Sequence, residues 1–152
     1  MAKVTRTILI NTTPDRVFSV LDDPKNLPLL YYCVFNVHEP EQSTARIGDK
    51  FTGMFSMLGI QFHVSFTITE YVLKSRLTAS FEGGVKGKMS YTLEPEHDST
   101  RVTIEVEYEI SNHLLPRIAN RSLFEQMETK NAERILENLS MIVEATIPPV
   151  QA

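Results

Sequence analysis

The chain has 152 residues, with 15 basic and 19 acidic side chains, a net charge of −4, 42% hydrophobic and 22% charged content. These sums predict one folded domain over 1–152 with a real core, and they argue against disorder and against the basic surface a nucleic-acid binder needs. The longest strongly apolar stretch, Leu27 to Phe35, contains Pro28 and is too short for a membrane span; no secretory core follows Met1, and the lone Cys33 excludes a disulfide framework or a cysteine-rich zinc site, so a cytoplasmic location is expected.

Val4 to Ile10 reads as a β-branched strand. Thr13-Pro14-Asp15 is a helix start, with Thr as cap, Pro in the first position and Asp at the positive end; Val17, Val20 and Leu21 then recur at helical spacing until Asp22-Asp23-Pro24. Lys25 to Tyr31 is a second short helix or turn, limited by Pro28. A run of strands follows: Cys33 to Glu39, ended by Pro40, then Phe51 to Met57, Phe62 to Val72 after a Leu58-Gly59-Ile60 turn, and Arg76 to Phe81. Gly83-Gly84 turns the chain into Val85 to Leu93, and His97-Asp98-Ser99 leads into Arg101 to Ile110. Turns at this spacing predict an antiparallel meander.

The last two strands also fix a register. With a turn between His97 and Asp98, Lys88 falls opposite Glu107 and Lys86 opposite Glu109, while Met89, Tyr91 and Leu93 meet Val106, Ile104 and Val102. Charge matching and apolar matching choose the same alignment, and a one-residue slip would bury the glutamates. The sheet therefore has one wet and one buried face. For the first strand, both the Val4-Arg6-Ile8-Ile10 and the Thr5-Thr7-Leu9 faces remain open as the inward one.

From about Leu114 to Ala145 the period becomes helical, with Phe124, Met127, Ile135, Leu139 and Ile142 as the apolar stripe that covers the sheet. Glu125, Glu128, Lys130, Glu133 and Glu137 are expected mainly on other faces, and Pro116 sets the first few residues apart as a separate turn. Arg134 and Asn138 lie near the edge of the stripe.

The alternation places Phe51, Phe55, Phe66, Phe81, Met89, Tyr91 and Tyr108 on inner strand faces, together with Met57, Phe62, Val64, Ile68, Leu77, Ala79, Leu93, Ile104 and Val106; Phe124, Met127 and Asn131 join them from the helix. Such a set makes either a filled core or a pocket for a ring-bearing or lipid-like molecule, with aromatic area and adaptable Met walls. Tyr91, Tyr108 and Asn131 are polar groups on that face, and each needs a partner if buried. Elsewhere, His38, His63, His97 and His113 are scattered without metal-ligand spacing, so no metal is expected. No phosphate loop, nucleophile elbow or paired base appears, and Asp22 and Asp23 read as helix-end groups.

Three segments resemble one family: Ile8-Leu9-Ile10-Asn11-Thr12-Thr13-Pro14-Asp15-Arg16-Val17-Phe18, then Leu21-Asp22-Asp23-Pro24-Lys25-Asn26-Leu27-Pro28, and Asn138-Leu139-Ser140-Met141-Ile142-Val143-Glu144-Ala145. In this order they are similar to the START-like, or SRPBCC, superfamily with the birch-pollen-allergen-like fold, closest to its polyketide cyclase/dehydrase-like branch. The resemblance covers nearly the whole chain. It implies an α+β helix-grip fold, in which a bent antiparallel sheet of about seven strands wraps a long C-terminal helix, with two short helices after the first strand. It also implies a cavity between sheet and helix for a hydrophobic or amphipathic partner (lipid-, quinone- or polyketide-like), without a cofactor. The candidate ligand-binding residues are Phe51, Phe55, Phe66, Phe81, Met89, Tyr91, Tyr108, Phe124, Met127 and Asn131. A carrier or sensor is one expectation. A polyketide cyclase/dehydratase-like enzyme using the Tyr and Asn donors is another, and a protein-interaction module with a filled core is a third.

Overall fold

The computed structural model describes residues 2–31, 34–38, 46–57, 59–118 and 120–146. The expectations at Cys33, Glu39, Pro40, Leu58 and Pro148-Pro149 lie outside them. Strand β1 (Ala2–Ile10) is followed by helix α1 (Pro14–Leu21), a 3-10 turn (Pro24–Asn26) and helix α2 (Leu27–Leu30). Strands β2 (Val34–His38), β3 (Lys50–Met57), β4 (Ile60–Val72), β5 (Arg76–Gly83), β6 (Val85–Glu96) and β7 (Ser99–Ile110) come next. A second 3-10 turn (Leu115–Arg117) precedes helix α3 (Arg121–Thr146). The seven strands form one antiparallel sheet in the order β1-β7-β6-β5-β4-β3-β2, and α3 lies against its inner face. This is the helix-grip architecture that the resemblance implies.

The β6–β7 register is the one read from the sequence, with Lys88 opposite Glu107, Lys86 opposite Glu109, Met89 opposite Val106, Tyr91 opposite Ile104 and Leu93 opposite Val102. The hairpin turns at His97, which takes a left-handed conformation with φ of 57°. The open question of β1 resolves toward Val4, Ile8 and Ile10 inward; Leu9 is 52% exposed on the outer side. Arg6 shares the inward parity but escapes burial because β1 is the sheet edge. Its Nε reaches Glu133 on α3 at 3.1 Å.

In β4, Phe62, Val64 and Ile68 are buried and Phe66 is half-buried, as alternation requires. A register shift between Ile68 and Glu70 then reverses the parity. It directs Tyr71 toward α1, where its ring meets Phe18 edge-on at 5.4 Å, and leaves Val72 exposed. Gly83 has a φ of 148°, and a Cβ there would lie 1.9 Å from the His63 carbonyl oxygen. The chain can pass this close to β4 only without a side chain. On the wet face, the Glu70 carboxylate accepts from Arg76 Nε at 2.6 Å and from Thr78 Oγ1 at 2.9 Å, and Arg76 also donates to Thr92 Oγ1 at 2.7 Å.

Thr13 occupies the N-cap position of α1, with Pro14 following it. Contrary to the sequence reading of Thr as a capping side chain, its hydroxyl makes no capping bond, and the helix start rests on backbone donation from Arg16 and Val17 to the Thr13 carbonyl. Asp22 ends α1 and is buried; Asp23 Oδ1 accepts from the Lys25 backbone N–H at 3.0 Å, a helix-end role. Phe124, Leu139 and Val143 of α3 are completely buried, and Ala132, Ile135 and Leu136 nearly so. Asn138 ties α3 to α2 by donating to the Leu30 carbonyl at 3.1 Å.

Candidate functional site

A cavity of about 50 Å³ lies between the sheet and α3. A single buried water needs roughly 10–15 Å³ of such space, so this one holds a few. A ring-sized molecule would have to displace the surrounding side chains. The curved sheet supplies its apolar walls: Phe55 from β3, Val64 and Phe66 from β4, Phe81 from β5, Val85 and Met89 from β6, and Val106 from β7. Helix α3 supplies Glu128, Asn131, Ala132 and Ile135, which recur at helical spacing on one face, and Tyr31 closes the end beside α2. The rings pack in two groups: Tyr31 stacks on Phe66 at 6.1 Å and Phe66 meets Phe81 at 5.8 Å, while Phe55 stacks on Phe62, which is behind the lining, at 5.0 Å.

Of the ten residues expected from the sequence, Phe55, Phe66, Phe81, Met89 and Asn131 border this cavity. Phe51 is buried beside Phe66 in the β3–β4 pairing but does not border it. Tyr91 is buried one layer behind, where its hydroxyl shares a 2.5 Å hydrogen bond with that of Tyr31. Burial first, and Tyr31 second, push the Tyr91 phenol well above its ordinary range. Tyr108 and Phe124 pack on one another with ring centres 6.3 Å apart, outside the cavity lining, and Met127 is half-buried against the core. Asn131 is 7% exposed, which places it inside the stripe and not at its solvent edge.

Glu128 is the main correction. The sequence reading expects Glu128, with the other charged residues of this helix, mainly on other faces. Position 128 lies four residues after Phe124, four before Ala132 and seven before Ile135, so helical spacing alone puts it on the covered face. The residue is half-buried on the cavity lining, and among the described residues no charged group stands beside its carboxyl as a cause of its shift. Burial pushes its pKa from 4.5 up to about 7. Behind it, the Tyr108 hydroxyl is fully buried and has no hydrogen-bond partner among the described residues. Its pKa is raised by burial first, then by the nearby charges of Glu128 and Glu125.

A second buried acid is satisfied. The Asp22 carboxylate accepts from the Tyr71 hydroxyl at 2.8 Å. Burial raises the Asp22 pKa, while the Tyr71 bond opposes that rise. The Tyr71 phenol is pushed up to about 12 by burial and by Asp22. His63, His97 and His113 are exposed, and no group of three or more metal-ligating side chains occurs among the described residues. No helix among them is long and apolar enough to cross a membrane.

The sequence pattern of the family described as "Polyketide cyclase / dehydrase and lipid transport" matches residues 1–144. No curated protein matches the chain. Among solved structures, a protein from Thermus thermophilus superposes with a TM-score of 0.81 at 20% identity, covering 97% of this chain and 100% of that one. A START superfamily protein from Mycobacterium smegmatis gives 0.73 at 11% identity, covering 95% and 99%. A conserved protein from Geobacillus kaustophilus gives 0.72 at 15% identity, covering 95% and 97%. At these identities the likeness is one of fold.

Proposed function

Since the chain belongs to the polyketide cyclase/dehydrase and lipid-transport family, we propose that it binds a hydrophobic or amphipathic small molecule between the sheet and α3, acting over 1–152 as one cytoplasmic carrier or sensor unit. The observation that carries this reading is the cavity itself: aromatic and aliphatic walls from five strands, with few polar groups converging from α3 and Tyr31. Pockets of that make-up bind apolar bodies and orient them through a few polar contacts. Native mass spectrometry of protein purified without denaturant tests it. The expected result is a small-molecule adduct that organic extraction removes and that Ala132→Leu, which narrows the cavity, weakens. Absence of any adduct, together with apolar-probe affinities unchanged by Ala132→Leu, refutes it.

A second reading, a cyclase/dehydratase-like enzyme, draws support from the Tyr108 hydroxyl, which has no partner among the described residues. Tyr108 lies outside the cavity lining, so a ligand reaches its hydroxyl only by displacing the side chains between them; a donor reached in that way can polarise a carbonyl oxygen without a separate nucleophile. Turnover of a poly-ketone that disappears in Tyr108→Phe while apolar binding survives would favour the enzyme over the carrier.

A further inference from the structure

Among the described residues, the cavity lining holds one side chain that can carry a formal charge at neutral pH, Glu128, and no Lys, Arg or His. The basic residues of α3 lie elsewhere. Arg121 approaches Glu125 at 3.7 Å and Arg134 approaches Glu137 at 3.9 Å, and these four, like Lys130, are exposed. Arg6 reaches Glu133 from the sheet edge. Glu128 is half-buried, and the one fully buried side-chain polar atom without a partner among the described residues belongs to Tyr108. The Glu128 carboxyl therefore stands on the cavity wall without being sealed into the core, and no charged group stands beside it as a cause of its raised pKa.

The walls around that acid are aromatic: Tyr31, Phe55, Phe66 and Phe81 line the same cavity. The face of an aromatic ring carries negative potential and attracts a cation. Asn131, three residues after Glu128 on the same lining, adds an amide oxygen with two lone pairs. These features favour one sign of ligand charge. An anion would meet a carboxylate and no cation. An uncharged body would pack on the walls equally well with Gln at position 128, so the carboxylate adds nothing to its binding. A metal ion needs several oxygen or nitrogen ligands, and no group of three or more metal-ligating side chains occurs among the described residues. An ammonium on an apolar body draws on the carboxylate, the ring faces and the apolar walls together.

We propose that the cavity recognises a hydrophobic amine, whose ammonium donates to the Glu128 carboxylate and to the Asn131 amide oxygen while its apolar body rests on Phe66, Phe81 and Met89. This rests on the cavity-binding reading above and adds the charge of the ligand to it. The apolar body needs more room than the few waters the cavity holds, and Met89 supplies a flexible wall that can repack. The ammonium also supplies the opposite charge that the chain itself does not place beside Glu128. The empty protein bears the cost of that carboxylate, and the complex does not.

Benzylamine, benzyl alcohol and benzoate share one ring and nearly one shape, and differ in charge. Each is titrated into the full chain at pH 8, where Glu128 is ionised, with binding followed by the NMR methyl shifts of Val64, Met89 and Val106 on the cavity lining. The expected result is benzylamine binding about tenfold or more tighter than benzyl alcohol, with benzoate weakest, as a charge-assisted hydrogen bond requires. Glu128→Gln keeps the shape, and should bring benzylamine to within about twofold of benzyl alcohol while leaving benzyl alcohol unchanged. Glu137→Gln removes an exposed charge from the same helix and should leave the amine preference intact. Equal affinity of benzylamine and benzyl alcohol, both shifting the cavity methyls, overturns the amine assignment and leaves the cavity reading standing. An amine preference that survives Glu128→Gln, or that falls as far in Glu137→Gln, also overturns it, because net charge alone then attracts the cation. If none of the three probes shifts the cavity methyls, the cavity reading falls, and the amine with it.

Discussion

Replacing Glu128 by Gln should make the protein more stable, and by an amount that depends on pH. The folded chain holds the Glu128 proton up to a pKa of about 7, whereas the ordinary value is 4.5. Between those values the native state binds more protons than the unfolded one, so the contribution of this residue falls as pH rises. Below 4.5 both states are protonated and the acid carries no penalty. Above 7 the full cost of the buried charge is present. Each pKa unit corresponds to about 1.4 kcal/mol, so the interval amounts to roughly 3 kcal/mol. Glu128→Gln keeps the shape and never ionises. Urea denaturation of both proteins from pH 4.5 to 8 reads the difference directly. Stability of the variant relative to the parent should rise by about 3 kcal/mol across the range, equivalent to about 1–1.5 M in the urea midpoint for a slope near 2 kcal/mol/M. Asp22, whose pKa is also raised, contributes equally to both proteins and cancels. Parallel stability profiles would refute the reasoning, because they would mean that the carboxyl is as well solvated in the fold as in the unfolded chain.

The other buried acid should respond differently: Tyr71→Phe removes the hydrogen bond that the Asp22 carboxylate accepts from the Tyr71 hydroxyl, costing about 1–3 kcal/mol at neutral pH and less in acid, as urea curves at pH 7 and 4 would show. In Gly87→Ala the new Cβ would lie 1.8 Å from the Glu107 carbonyl oxygen, so β6 and β7 must separate locally, and a loss of about 1–3 kcal/mol is expected. An unchanged melting temperature would contradict that geometry. Leu139→Ala deletes a completely buried side chain where α3 meets the sheet, and should cost about 2–5 kcal/mol in the same assay.

The β6–β7 hairpin was legible to the residue because two independent patterns, charge on one face and apolar matching on the other, demanded the same register. The division of the C-terminal segment was legible through Pro116, which confines its 3-10 turn and leaves α3 to begin at Arg121. β1 was not decided by pattern, since each of its faces mixes apolar and polar residues. Its orientation depends on being the sheet edge, where Arg6 can leave the inner face and reach Glu133. The β4 register shift that turns Tyr71 inward has no marker in the alternation. Tyr31 was missed as a cavity residue because the short segment around Pro28 defines no face. Glu128 is illegible for another reason: it stands at the right spacing for the covered face, but a charged residue interrupts the apolar stripe by which that face is recognised.

That last miss bears on how a hollow core differs from a filled one. Apolar residues on an inner face look the same in sequence whether they meet each other or a ligand, so Phe55, Phe66 and Phe81 could not decide the matter. Polar residues on the same face can, because each must be accounted for when buried. Tyr91 is accounted for by Tyr31, and Asp22 by Tyr71. Those pairs close within the fold and ask nothing of a ligand. The Tyr108 hydroxyl does not close among the described residues, and Glu128, whose charge acts on it, stands on the cavity lining with burial as the cause of its raised pKa. An interior that served packing alone would gain stability by replacing either with an apolar residue of similar size. Their position is therefore the best internal argument that this part of the core is shaped for something that enters it.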